Sequence, residues 1–127
     1  MPQPPTIFIV EDNLINQQLI ARQLESFSTD VYFYTRGEYC LEDLGLNPSL
    51  VIMDYTLEGD LNGLDTLERL RSRLPEIPVI VFSSEKGLHS KENLERYGYF
   101  DFLEKCEFSF KLLKDRIAQI LRPAMPA

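Results

Sequence analysis

Two acidic residues, Glu11 and Asp12, follow directly on a short apolar run, and a third, Asp54, follows another. Two later runs end on Ser83-Ser84 and on Glu104-Lys105. Brought to one place, three carboxylates repel and raise one another's pKa, an arrangement that calls for a cation. Oxygen ligands alone select a hard ion such as Mg2+, which keeps several waters and takes few ligands from protein. The Ser83 hydroxyl and the Lys105 ammonium suit a phosphoryl group bound beside that ion. Each residue alone has a plainer role. A strand-end Asp caps a loop, a Lys near a carboxylate makes a surface pair of little worth, and paired serines satisfy a turn. All of these groups at successive run ends point to chemistry.

Such convergence requires the runs to be neighbours. Residues 7–10, 31–34, 50–53, 79–82 and 99–103 are short and rich in β-branched or aromatic types. Three of them are almost wholly apolar, as strands buried on both faces of a parallel sheet are. The stretches between read as helices. Leu14, Ile15, Leu19, Ile20 and Leu24 are spaced near the helical period over residues 14–27, with Asn13 as N-cap. Leu64, Leu67, Leu70 and Leu74 form a stripe that Pro75 ends, and Phe108, Leu112, Leu113, Ile117, Ile120 and Leu121 form the last. Shorter helices are expected around residues 37–44 and 89–97. The alternation predicts an α/β fold: a doubly wound, five-stranded parallel sheet with five helices, in the flavodoxin-like (βα)5 order. Ligands of such sheets sit beyond the carboxyl ends of the strands, where the strand order reverses. Glu11, Asp12, Asp54, Ser83 and Lys105 all fall there.

Composition narrows the classes. With 20 acidic against 13 basic residues the net charge is −7, so direct nucleic-acid binding by this segment is not expected. A length of 127 residues suits one domain, expected over 6–122 between proline-bearing tails at 1–5 and 123–127. No apolar run approaches the roughly 20 residues that span a bilayer, and the start lacks the features of a signal peptide. A membrane partner is therefore not expected. Cys40 and Cys106 form no CxxC or zinc pattern, so a reducing, cytoplasmic location is the default.

The sequence resembles the receiver domain of two-component response regulators, in the manner of the chemotaxis regulators, from Ile7 to Leu121. The resemblance rests on Val10-Glu11-Asp12-Asn13 with Asn16, on Leu50-Val51-Ile52-Met53-Asp54, on Gly59 through Gly63 with Leu64, on Pro78 through Ser84, and on Asp101-Phe102-Leu103-Glu104-Lys105. It implies that Asp54 accepts a phosphoryl group from a sensor histidine kinase or a histidine phosphotransfer protein, and that a downstream output protein or domain reads the result. It also implies that Glu11, Asp12 and Asp54 hold Mg2+ through carboxylates and Thr56 through its backbone carbonyl. Ser83 would hydrogen-bond the phosphoryl group, Lys105 would pair with it, and Phe102 would be a switch that turns inward on activation. For Phe102 and Phe100 ordinary strand packing stays open. A receiver promotes its own phosphorylation and dephosphorylation and is not a conventional enzyme. Activation is expected to reach the face of the fourth helix, fifth strand and last helix. His89 lies outside every motif and reads as surface.

Departures from the family pattern are specific. Cys106 stands where the family usually has proline, so a trans Lys105–Cys106 bond is expected, because a cis bond to a non-proline residue costs about 3–4 kcal/mol. Lys105 is nonetheless expected within ion-pair distance of Asp54. Glu58 replaces the usual proline after the acceptor, and the loop reaching Gly63 is one residue longer than common. Serines at 83 and 84 replace the commoner threonine and alanine. Three rival readings fit the residues less well. A degenerate receiver acting as a phosphorylation-independent scaffold shares the fold but does not need the intact Asp54, Ser83 and Lys105. A nucleotide or flavin binder needs a glycine- or hydroxyl-rich loop after the first strand, where Glu11-Asp12-Asn13 repels phosphate. An aspartate-nucleophile phosphatase usually has a second Asp two residues on, where this chain has Thr56.

Overall fold

A computed structural model of the chain describes residues 3–57, 59–83, 95–99, 101–105 and 107–121. The strands are β1 (Thr6–Val10), β2 (Asp30–Tyr34), β3 (Leu50–Asp54), β4 (Val79–Ser83) and β5 (Asp101–Glu104). The helices are α1 (Leu14–Leu24), α2 (Gly37–Glu42), α3 (Gly63–Arg73) and α4 (Glu107–Leu121), with a 3-10 turn at Leu44–Leu46. Those are the four α-helices among the described residues; the fifth expected one, around residues 89–97, falls mostly outside them.

The strands form one sheet in the order β2-β1-β3-β4-β5, every neighbouring pair parallel. Its register is continuous: Ile9 faces Phe33 on one side and Ile52 on the other, and Ile52 faces Ile80. Side chains alternate between faces along each strand, and the apolar residues divide accordingly. Phe8, Val10, Val51, Met53, Val79 and Val81 pack with Leu41, Leu67 and Leu70 from α2 and α3. Ile7, Ile9, Leu50, Ile52, Ile80 and Phe82 pack with Ile20 and Leu24 of α1 and Leu113, Ile117 and Leu121 of α4. Because helices cover both faces, β3 and β4 are buried at every position and need continuous apolar runs rather than alternation. The edge strand β2 lacks that cover, and Tyr32 and Phe33 are exposed.

Local chemistry sets the element ends. Asn13 caps α1, its side chain accepting from the Asn16 N–H at 3.0 Å. The helix closes at Leu24, three residues before the apolar pattern does, and Phe27 packs against the core from beyond it. The first-turn residues Leu14 and Ile15, expected on the apolar stripe, are 69% and 68% exposed, and the core under α1 takes Leu19, Ile20 and Leu24 instead. Asn62 and Asp65 form a capping box that starts α3. Gly63 is required there: a Cβ would lie 2.5 Å from the Tyr55 carbonyl oxygen. At the other end of α3, Arg71 donates to the backbone carbonyls of Leu74, Ile77, Tyr97 and Gly98, tying that end of the helix to the approach to β5. Strand β5 runs Asp101–Glu104, where the apolar run suggests a start two residues earlier.

Candidate site at the carboxyl ends of the strands

The strand order reverses between β1 and β3, since the chain leaves β1 toward β2 on one side and returns to β3 on the other. The crevice above that point receives Glu11 and Asp54. Glu11 extends the sheet by one residue, its N–H donating to the Tyr34 carbonyl at 2.8 Å. Its carbonyl accepts from the Gln17 side chain of α1 at 2.6 Å, and its carboxylate accepts from the Asn13 N–H at 3.1 Å. Those bonds fix a charged side chain that is only 1% exposed. Asp54 closes β3 and is 4% exposed. Its Oδ1 accepts from the Thr56 N–H at 3.0 Å, and its Oδ2 accepts from Lys105 Nζ at 2.7 Å.

Lys105 reaches the crevice because its backbone continues the β4–β5 pairing, its N–H donating to the Ser83 carbonyl at 2.7 Å. The ammonium lies between two carboxylates, 2.7 Å from Asp54 and 2.8 Å from Glu11 Oε1. The expected ion pair to Asp54 is therefore present. Glu11 Oε1 lies outside hydrogen-bonding geometry, and among the described residues it is a buried side-chain oxygen with no hydrogen-bond partner. Burial, together with the Asp54 charge, pushes the Glu11 carboxyl from 4.5 up to about 7 against the opposing pull of the ammonium. Burial alone would lower the Lys105 pKa, but the Asp54 and Glu11 carboxylates outweigh it and hold the ammonium above its ordinary value.

One carboxylate oxygen from each of Glu11, Asp12 and Asp54 lies within 4.8 Å of the others, with Asp12 half-buried at the mouth. Three carboxylates face a single ammonium, so the donor set is all oxygen and carries excess negative charge. That set fits a hard divalent cation.

Of the other expected site residues, Ser83 ends β4, fully buried and in register with Glu104. Thr56 is exposed at the start of the loop after β3. Phe102 is half-buried, in register with Val81, and its ring lies 6.1 Å from that of Tyr99 against the core on the α2/α3 face. Ser84, His89, Phe100 and Cys106, with the peptide bond expected to be trans, and Glu58 lie outside the described residues. Sequence reasoning missed Gln17, one helical turn after the Asn13 cap, and Gly63 as the base of the loop. The Asn62-x-x-Asp65 spacing was the available signal for the latter.

A family model described as response regulator receiver domain matches residues 7–118. A two-component response regulator of rice, Oryza sativa subsp. indica, is 33% identical over 110 residues, covering 83% of each chain. A protein-glutamate methylesterase/protein-glutamine glutaminase of Clostridium acetobutylicum is 31% identical over 125 residues, which are 93% of this chain but only 36% of that one. A crystal structure of a signal receiver domain from Vibrio parahaemolyticus superposes with a TM-score of 0.84 at 25% identity, covering 96% of this chain and 93% of that one. Among the described residues, no helix is long and apolar enough to cross a membrane.

Proposed function

The chain belongs to the family of response regulator receiver domains, phosphoacceptors of two-component signalling rather than classical enzymes, and from that premise we propose that Asp54 is the phosphoacceptor. The observation that carries this reading is the Asp54 carboxylate, buried at the sheet's switch point, paired with Lys105 at 2.7 Å and clustered with Glu11 and Asp12. A carboxylate oxygen of Asp54 attacks phosphorus, the bond from phosphorus to the donor nitrogen breaks, and the departing imidazole keeps that electron pair and takes a proton. The product is an acyl phosphate on Asp54.

The transition state is loose and spreads charge over equatorial oxygens, so positioning and cations carry the rate. Lys105 holds a fixed positive charge against Asp54, and the Thr56 N–H orients the other carboxylate oxygen. Glu11, Asp12 and Asp54, with the Thr56 carbonyl, would hold Mg2+, which when bound neutralises these carboxylates and the charge that develops on the phosphoryl oxygens. The Ser83 hydroxyl then bonds the phosphoryl group, and Phe102 shifts inward as partners read the new state. The donor is a sensor histidine kinase or a histidine phosphotransfer protein, the reader an output protein or domain. The acting unit spans residues 6–122 in the cytoplasm.

Acetyl phosphate tests the reading. With Mg2+, intact mass spectrometry should show one phosphoryl increment on the wild type and none on Asp54→Asn or without metal. An increment that persists in Asp54→Asn, or none in the wild type, would move the assignment to a phosphorylation-independent scaffold.

A further inference from the structure

The loop from Tyr55 to Asn62 links the phosphoacceptor strand to α3. Its base is closed by the Gly63 N–H donating to the Tyr55 carbonyl at 2.8 Å. Leu57 and Leu61 bury their side chains in the core under α2 and α3. The backbone of its far end takes its partner from another element. Glu38, in the first turn of α2, accepts the Leu61 N–H on Oε1 at 3.1 Å, a bond spanning 23 residues of sequence. Gly59, at φ +103°, lies over the same carboxylate, so close that a Cβ there would fall 2.8 Å from Glu38 Oε2. Burial of the carboxyl acts upward on its pKa, yet the N–H groups of Glu38, Leu61 and Asp60 and the nearby Arg36 charge together hold it below the ordinary value.

We propose that Glu38 is a positioning residue whose carboxylate sets the loop after Asp54, and through it the backbone at Thr56 on which the cation site depends. The inference rests on the Mg2+-dependent reading above. The coupling is mechanical. A carboxylate accepting amides from the loop's far end holds that end by charge-assisted hydrogen bonds. Thr56 lies between the two anchors, with its N–H already on Asp54. A loop released at its far end keeps Thr56 on Asp54, with Tyr55 fastened at the base and Leu57 buried, but loses the anchor that fixes the rest of its path. The competing role for Glu38 is a helix-start acid that stabilises α2 through the helix dipole, which would alter stability and leave the cation site untouched.

Isothermal titration with Mg2+ alone, without phosphodonor, separates the two roles. Glu38→Ala should weaken Mg2+ binding about tenfold, the order found when groups supporting metal ligands are removed. Glu38→Gln, which keeps one accepting oxygen, should fall between. Amide exchange at Leu61 should quicken in both, and phosphorylation by acetyl phosphate should recover at saturating Mg2+. Gly59→Ala, which presses a Cβ on the same carboxylate while leaving Glu38 in place, should weaken Mg2+ binding in the same direction even where Glu38→Ala fails to fold. A lowered melting temperature with unchanged Mg2+ affinity in Glu38→Ala, or unchanged affinity in both Glu38→Gln and Gly59→Ala, overturns the proposal. A wild type that binds no Mg2+ overturns it together with the reading it rests on; unchanged affinity against a normally binding wild type overturns it alone.

Discussion

Replacing Glu11 by glutamine should make the metal-free protein more stable at neutral pH, although it removes a charged side chain from the site. The carboxyl titrates near 7 in the fold against 4.5 as the ordinary value, chiefly through burial. Below 4.5 it is protonated in both the folded and unfolded chains and contributes nothing. As pH rises the unfolded chain loses its proton first, so the fold is progressively penalised until about 7, above which the penalty is complete. The shift corresponds to at most about 3.5 kcal/mol, at about 1.4 kcal/mol per unit. That figure is already net of the attraction to the Lys105 ammonium, and screening at the mouth of the site, where Asp12 is half-buried, reduces it, so the expected gain for Glu11→Gln falls to about 1–2 kcal/mol. Urea unfolding followed by circular dichroism, in chelator, should show this gain near neutral pH and its loss toward about pH 4.5. Added Mg2+ should reverse the order, since the wild type gains about 2.7 kcal/mol at a hundred times its dissociation constant while the variant has one ligand fewer. A metal-free variant less stable than the wild type at neutral pH would refute the reasoning, because the attraction to Lys105 would then outweigh burial and repulsion.

Lys105→Met should destabilise the metal-free protein by about 3 kcal/mol, the lower end for breaking a buried pair, because Glu11 can discharge by taking a proton; urea unfolding in the Glu11→Gln background should show a smaller loss. Gly63→Ala should lower stability by about 2–3 kcal/mol in a thermal melt, since the added methyl meets the Tyr55 backbone rather than a side chain that can turn away.

Every strand was legible in the sequence, because burial on both faces leaves continuous apolar runs in β1, β3 and β4. The site residues at their ends were legible as well, since parallel strands must discharge their ends at one side of the sheet. Errors fell where tertiary context decides. The pattern at Leu14 and Ile15 says helix, and helix it is, but no periodicity reveals that the first turn of α1 stands clear of the sheet. The Arg71 bonds to Tyr97 and Gly98, just ahead of β5, cross 26 and 27 residues, a distance over which a local pattern carries no information. The same applies to Glu38, an ordinary helix-start acid until the loop from Tyr55 to Asn62 is laid beside it.

The ammonium that balances the site arrives late along the chain. Lys105 follows Asp54 by 51 residues, and it reaches the crevice only after β4 has joined β3 and β5 has joined β4. During synthesis, which proceeds from the N-terminus, a chain ending short of β5 holds Glu11, Asp12 and Asp54 with nothing to neutralise them, and their repulsion opposes early closure of β1 on β3. Completion of the last strand eases that opposition and supplies a charge that ties Glu11 and Asp54 to the end of β5. The ion cluster is in this sense a check on assembly: its repulsion is relieved in part only when the last strand is in place, and a bound cation would relieve the rest.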